Sequence, residues 1–307
     1  MRLLVFGLGY AATRIAARAR ANGWAVTGTT RDGRGDTLRF GDRQAVLDEI
    51  AWATHVLSSV PPVDGVDPVL EVYGEALGTC ASSQRQPGAP AASVTPRPEI
   101  PAFAEVTPTV GPWLGYLSST GVYGDAAGSW VDETAPVLGR RAARNAADAA
   151  WLERGARVFR LPGIYGPGRS ALDRVAAGKA HRVDLAGQIF SRVQVDDVAS
   201  GVIAGFEAPP GAYNLADDAP CDQNAVVTFA AYLLGSEPPP FVALGSLSPM
   251  GRAFYAENRR VCNLKAKRVL GWAPAWPDYR AGLRALNAIT SPISASTDPA
   301  TASADQR

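Results

Sequence analysis

The chain has 307 residues, 47% of them hydrophobic and 19% charged, which suits one or two globular domains with sizeable cores. Thirty basic residues are scattered among twenty-nine acidic ones for a formal net charge of +1, so no broad positive field favours nucleic acid. Cys80, Cys221 and Cys262 are widely spaced without a C-x-x-C, and His55 and His181 stand alone, a usage that points to reduced thiols in a cytoplasm and no metal site.

The opening MRLLVFGLG is too short to span a bilayer and runs into a glycine turn, so it reads as a first strand rather than a signal or membrane segment. Short apolar runs then alternate with helical periodicity: the helix YAATRIAARARANG, WAVTGTT, DTLRFGD, the helix RQAVLDEIA, THVLSSVPP, and a further helix near residues 67–78. Such alternation is the mark of βαβ units and predicts an α/β fold, a Rossmann-type doubly wound parallel sheet. Six prolines between Pro87 and Pro108 remove backbone donors repeatedly, so residues 80–112 are expected to be a Pro-rich mobile insertion. The strand WLGYLSS, a helix at about residues 140–153 and the strand ARVFRLPG restore the alternation, giving a nucleotide-binding domain over residues 1–162. Residues 163–289 change to helices separated by short strands and proline turns. This region reads as a smaller, mostly helical substrate lobe, interleaved with the sheet and covering the carboxyl ends of its strands. Within it, Asn263 can cap the helix of NLKAKRVLGW and Gly271 can take the left-handed position after it. Residues 290–307 are low in apolar content and expected to be disordered.

Gly7-Leu8-Gly9-Tyr10-Ala11-Ala12 lies between the first strand and the first helix and reads G-x-G-x-x-A. Gly7 permits a tight turn, Gly9 lets a pyrophosphate approach the backbone, and Ala12 allows close packing of helix on strand. Tyr10 opens a helix whose amino end faces the anion. Thr30 and Arg31 follow the second strand, where a basic residue accommodates a 2′-phosphate, so NADP is preferred to NAD; a small register error would put Asp32 there instead. Asp42, after the third strand, can accept from the adenine amino group or cap the next helix. Ser59 and Val60, closing THVLSSVPP, complete the cofactor candidates on that edge.

LSSTGVYGD, VDETAP, RLPGIYGPGR, VQVDDVA, YNLADD and LGWAP occur in this order, and together the chain resembles the extended short-chain dehydrogenase/reductases, the NAD-dependent epimerase/dehydratase group. The resemblance implies a catalytic hydroxyl at Ser119, four residues before Tyr123, although a serine there can also simply close its strand on backbone. It implies backbone contact with the nicotinamide from Pro162 and Gly163, where many relatives have a substrate-binding asparagine in place of Gly163. The family also places Tyr-x-x-x-Lys on the following helix with an acid four positions on. Aligning that acid on Asp148 puts Arg144 at the lysine and Arg140 at the tyrosine, so the usual pair is missing.

Arg144 could still supply charge and bind ribose hydroxyls. Arg140 cannot replace a phenol, because a guanidinium stays protonated and has no lone pair, but it can grip a carboxylate or phosphate bidentately. The plainer alternative is a solvated helix face with Arg144 paired to Asp148. Tyr123 and Tyr165 are the nearest remaining phenols, and either could instead pack in its loop.

The expected function is an NAD(P)-dependent oxidoreductase or epimerase of this atypical type, acting on a small anionic substrate. The alternative is a non-catalytic NADP(H)-binding sensor or regulatory module. A scaffold without cofactor conflicts with the intact glycine turn and Arg31. AARNAADAAWLERG is suggestive of a homodimer face.

Overall fold

The computed structural model describes residues 1–78 and 111–290. Most of the stretch 80–112, Cys80 among it, and nearly all of the tail expected over 290–307 therefore lie outside the described residues.

The first half runs β1 (Arg2–Phe6), α1 (Tyr10–Ala21), β2 (Ala25–Thr30), β3 (Leu38–Arg39), α2 (Arg43–Trp52), β4 (His55–Ser58) and α3 (Pro68–Leu77). It continues with β5 (Trp113–Ser119), β6 (Trp130–Val131), α4 (Ala142–Glu153) and β7 (Arg157–Leu161). The second half adds β8 (Gly163–Tyr165), α5 (Ala171–Ala176), β9 (Arg182–Val183), β10 (Arg192–Gln194), α6 (Val195–Ala204) and β11 (Gly211–Asn214). It ends with α7 (Gln223–Leu233), β12 (Phe241–Val242), α8 (Pro249–Phe254), β13 (Arg260–Val261), α9 (Leu264–Leu270) and α10 (Tyr279–Thr290).

Seven strands form one parallel sheet in the order β11-β7-β5-β4-β1-β2-β3, a Rossmann-type arrangement. Its central strands are covered on both faces and their buried stretches are therefore apolar rather than alternating, as in LLVF and WLGYL. On one face Ile15 and Ala19 of α1 and Val198 and Val202 of α6 pack on Leu3, Val5 and Phe159. On the other, Val46 of α2, Tyr73 of α3 and Trp151 of α4 pack on Leu4, Phe6 and Tyr116. Each such side chain contributes about 1.5–3 kcal/mol relative to exposure, and α3 is further fixed by Pro68 in its first turn and by Asp67, whose Oδ1 accepts from Val69 N and Leu70 N while Oδ2 accepts from Trp151 Nε1.

The second half has its own small core, in which Tyr165, Leu172, Val226, Ala230 and Leu283 meet. It is interleaved with the sheet, because α6 and β11 return to the Rossmann body before α7 leaves again. The strand order turns back between β1 and β4, which opens a crevice at the carboxyl ends of those strands.

Three local expectations are corrected. Helix α4 begins at Ala142, not Arg140: Gly139 is tied to Val122 O through its N–H, and its own carbonyl accepts from Asn145 Nδ2, so the chain stays outside the helix until Arg141. Asp148 does not pair with Arg144 on a solvated face; it is 1% exposed and bound to Arg160. Asn263 stands at the cap of α9 without capping it, since its Nδ2 donates to Ala216 O and Asp218 Oδ1. Gly271 does take the left-handed conformation, with φ 61°.

Candidate functional site

At the crevice, β1 ends in the glycine turn. Gly7 has φ +79°, and a Cβ there would lie 2.9 Å from Val60 Cγ2 and 3.3 Å from Ser59 Oγ, so only glycine fits between β1 and the end of β4. Ser59 Oγ donates to Gly7 O, and Gly7 N donates to Thr29 Oγ1. Gly9 is the cap of α1 and supplies no side-chain acceptor, and a Cβ built on it would meet nothing within 4 Å. No side chain caps the first-turn N–H groups of α1 and the space at Gly9 is open, so this helix amino end has uncapped donors suited to a diphosphate. Ala12 is 1% exposed and lies in the core between α1 and the sheet.

At the next strand end, Thr30 Oγ1 accepts from Gly33 N and Arg34 N and so shapes the turn after β2. This turn leaves Arg31 exposed on the same edge. Asp42 Oδ1 accepts from Ala45 N at 3.3 Å and caps α2, the helix-capping role that the sequence left open.

Beyond the turn lies a cleft of ≈ 780 Å³. It is lined by Ser119, Arg140, Arg144, Pro162 and Gly163 from the sequence-predicted set, and by Tyr165. Among the described residues, seven arginines line it, Arg140, Arg141, Arg144, Arg169, Arg174, Arg192 and Arg259, against two carboxylates, Asp173 and Glu257. Such a surplus in a recess favours an anionic occupant. Burial works against ionisation of Glu257, but hydrogen bonds from Arg140 and Arg259 overcome it and hold the carboxyl below its ordinary range.

The predicted catalytic residues separate into two environments. Ser119 Oγ accepts from Gly121 N at 3.1 Å, closing its strand, and its hydroxyl proton has no acceptor among the described residues. Arg144 Nη1 donates to the Tyr116 hydroxyl at 2.9 Å, and that ring stacks on Trp151. Tyr123 does not line the cleft: it is 3% exposed, its hydroxyl donates to Asn214 Oδ1 at 2.7 Å and accepts from Arg160 Nη1 at 3.1 Å, and burial pushes it up to about 12. Arg160 also holds Asp148 through Nη2 at 2.7 Å and Nε at 3.2 Å, with Ser118 Oγ donating to the same carboxylate at 2.6 Å. Tyr165 reaches the cleft wall, but its hydroxyl is buried without a hydrogen-bond partner among the described residues.

Sequence reasoning missed Glu257, Arg259 and Arg192, which carry no local signal. Arg169 stands in plain sight at the end of RLPGIYGPGR; its guanidinium lies 5.6 Å from the centre of the Tyr10 ring, whose hydroxyl donates to Pro167 O at 3.1 Å. That contact joins the glycine turn to the arginine-lined cleft.

No family model matches the chain. In solved structures it is similar to a functionally unknown conserved protein from Silicibacter pomeroyi DSS, with 36% identity, coverage of 94% of this chain and 99% of that one, and a TM-score of 0.77. In sequence it is similar to Protein YeeZ of Escherichia coli (strain K12), 29% identical over 90% of this chain and 97% of that protein. Its fold is shared by a Thermotoga maritima UDP-glucose 4-epimerase solved with UDP-glucose (14% identity, 94% and 97% coverage, TM-score 0.70). It is shared too by a human epimerase family protein solved with NADPH (16% identity, 94% and 99% coverage, TM-score 0.64).

Proposed function

The chain belongs to one family with the conserved Silicibacter pomeroyi protein, and from its glycine turn and cationic cleft we propose an NADP(H)-binding oxidoreductase or epimerase of extended short-chain type, acting on a small anionic substrate. The observation that carries the reading is the cleft itself, where seven arginines meet two carboxylates beside an open helix amino end. The nicotinamide, when bound, supplies or accepts the hydride. Gly9 and the start of α1 receive its diphosphate, Arg31 pairs with the 2′-phosphate, and Pro162 and Gly163 border the ring. Ser119 donates a hydrogen bond through its hydroxyl to the reacting oxygen of the substrate and positions it for hydride transfer, the accompanying proton coming from another donor. Arg140 grips the anionic group of the substrate and Arg144 supports the charge beside it.

A second reading, an NADP(H)-binding sensor that performs no chemistry, is favoured by one observation: the Tyr123 hydroxyl is committed to Asn214 and Arg160, away from the cleft.

Calorimetric titration tests the cofactor. NADPH should bind more tightly than NADH by about ten-fold or more, the scale of one charge-assisted phosphate contact, and Arg31→Ala should abolish the difference. Equal affinities in the unaltered protein would defeat the NADP assignment. Turnover in an NADPH-coupled screen of anionic carbonyl and alcohol substrates, lost in Ser119→Ala with NADPH affinity retained, separates the enzyme from the sensor.

A further inference from the structure

The two cleft carboxylates are used differently. Asp173 belongs to its own helix: its Oδ2 accepts from Ser170 N at 2.7 Å and Ser170 Oγ at 2.6 Å, closing a capping box at the start of α5. Glu257 instead faces arginines from two separate segments. Arg140 Nε donates to Oε1 at 2.6 Å and Arg259 Nη1 donates to Oε2 at 2.7 Å.

Each arginine has a second anchor that does not depend on Glu257. Arg140 Nη2 donates to Ala253 O at 3.0 Å, and Arg259 Nη1 donates to Gly124 O at 2.7 Å. The backbone beside Glu257 is also held independently, because its carbonyl accepts from Gln188 Nε2 at 2.8 Å and Asn258 N donates to Asp125 Oδ1 at 2.8 Å. The glutamate side chain can therefore swing on its own torsions while both guanidiniums and its own backbone stay in place.

We infer that Arg140 and Arg259 form a two-pronged site for a carboxylate or phosphoryl group, and that Glu257 fills this site in the free protein as an internal anion which the ligand displaces. The inference rests on the anionic-substrate reading above. Two guanidiniums converging on one point repel each other unless an anion lies between them, so Glu257 keeps the site assembled when no ligand is bound. A ligand anion of matching shape replaces it without leaving either arginine unpaired, since the guanidinium fork accepts carboxylate and phosphate alike. The cost of displacement is the loss of two charge-assisted hydrogen bonds by Glu257, which the released carboxylate recovers from water. Ligands with a single weak acceptor cannot make that exchange, and the glutamate thereby selects for true anions.

The test is calorimetric titration of the full chain at low salt with inorganic pyrophosphate and, separately, succinate, in the unaltered protein and in Glu257→Gln. Removing the competing charge should tighten binding of the preferred probe by about ten-fold, while Arg140→Ala and Arg259→Ala should each weaken it. A gain for pyrophosphate assigns the site to a phosphoryl group, and a gain for succinate assigns it to a carboxylate. If the unaltered protein binds a probe and Glu257→Gln binds it no better, Glu257 is a permanent strut and the inference falls, with the anionic reading intact. If neither protein binds either probe, both fall together. Glu257→Asp, which keeps the charge but shortens its reach, stands in should Glu257→Gln not fold; it should show a smaller gain, and no gain overturns the inference equally.

Discussion

His55 opens β4 in an aromatic box, its ring 4.6 Å from Trp24, 4.8 Å from Phe206 and 5.4 Å from Trp113 by centroids. It is 8% exposed, and burial, with the Arg157 charge and the chain's amino terminus adding to it, pushes the imidazole from its ordinary 6.5 down to about 4. The folded state therefore holds the ring neutral where the unfolded chain would already bind a proton. With the folded value below the unfolded one, the stability this group contributes is complete above about pH 6.5 and is lost as pH falls toward 4. Denaturant unfolding between pH 7 and 4 should show the unaltered protein losing roughly 2 kcal/mol more than His55→Phe, which keeps an aromatic ring and removes the titration. Parallel pH profiles for the two proteins would refute this. Elsewhere in the core charged groups are paired instead: Asp148 of α4 and Arg160 of β7, 1% and 3% exposed, meet at 2.7 Å.

Elements differ in how plainly the sequence announces them, and the difference has a physical source. β5 begins and ends where WLGYLSS does: its apolar residues suit a parallel strand covered on both faces, and the two serines that close it find partners, Ser118 on Asp148 and Ser119 on Gly121 N. The glycine turn is equally legible, since φ +79° at Gly7 leaves few residue choices. The start of α4 was not legible: Arg140 is kept out of the helix by bonds from Gly139 to Val122 and from Asn145, and no periodicity reports a tether of that kind. Nor was the pairing of Arg140 with Glu257, which joins residues 117 apart in the chain. The connection from α3 to β5 yields a prediction of its own. Leu77 at the end of α3 is 1% exposed, and Trp113 at the start of β5 is anchored by its N–H on Thr54 O and its indole on Gly205 O. Both ends are thus fixed by the Rossmann body. We expect replacement of residues 81–108 by a short Gly/Ser linker to leave the melting temperature within about 2–3 °C, the shift that accompanies under 1 kcal/mol in a chain of this size. A fall of ten degrees or more would mean that the replaced stretch packs as part of the fold.

Across the whole molecule, the glycine turn and the arginine-lined cleft are joined by direct contacts. Tyr10, the first residue of α1, reaches Pro167 O with its hydroxyl and lies under the Arg169 guanidinium, and one turn later Arg14 grips Asp196 of α6 through two bonds of 2.6 and 2.7 Å. Gly166 permits this approach, since a Cβ there would stand 2.5 Å from the Tyr10 hydroxyl oxygen. A ligand that orders the start of α1 should therefore also order residues 163–169, β8 and the loop after it, which contribute Gly163, Tyr165 and Arg169 to the cleft wall. That coupling predicts that NADPH, bound at the glycine turn as proposed, slows amide hydrogen exchange in residues 163–169. In Tyr10→Ala the slowing should shrink by roughly five-fold or more, a coupling of about 1–3 kcal/mol, while the fold retains its thermal transition because Ile15 and Ala19 still hold α1 to the sheet. Exchange measured by mass spectrometry on both proteins at saturating NADPH decides the matter. Equal protection of the loop in Tyr10→Ala would show that the cofactor and the cleft communicate through the sheet alone; loss of protection with cofactor affinity largely retained would establish Tyr10 as the mechanical link by which nucleotide binding prepares the arginine cleft for its anion.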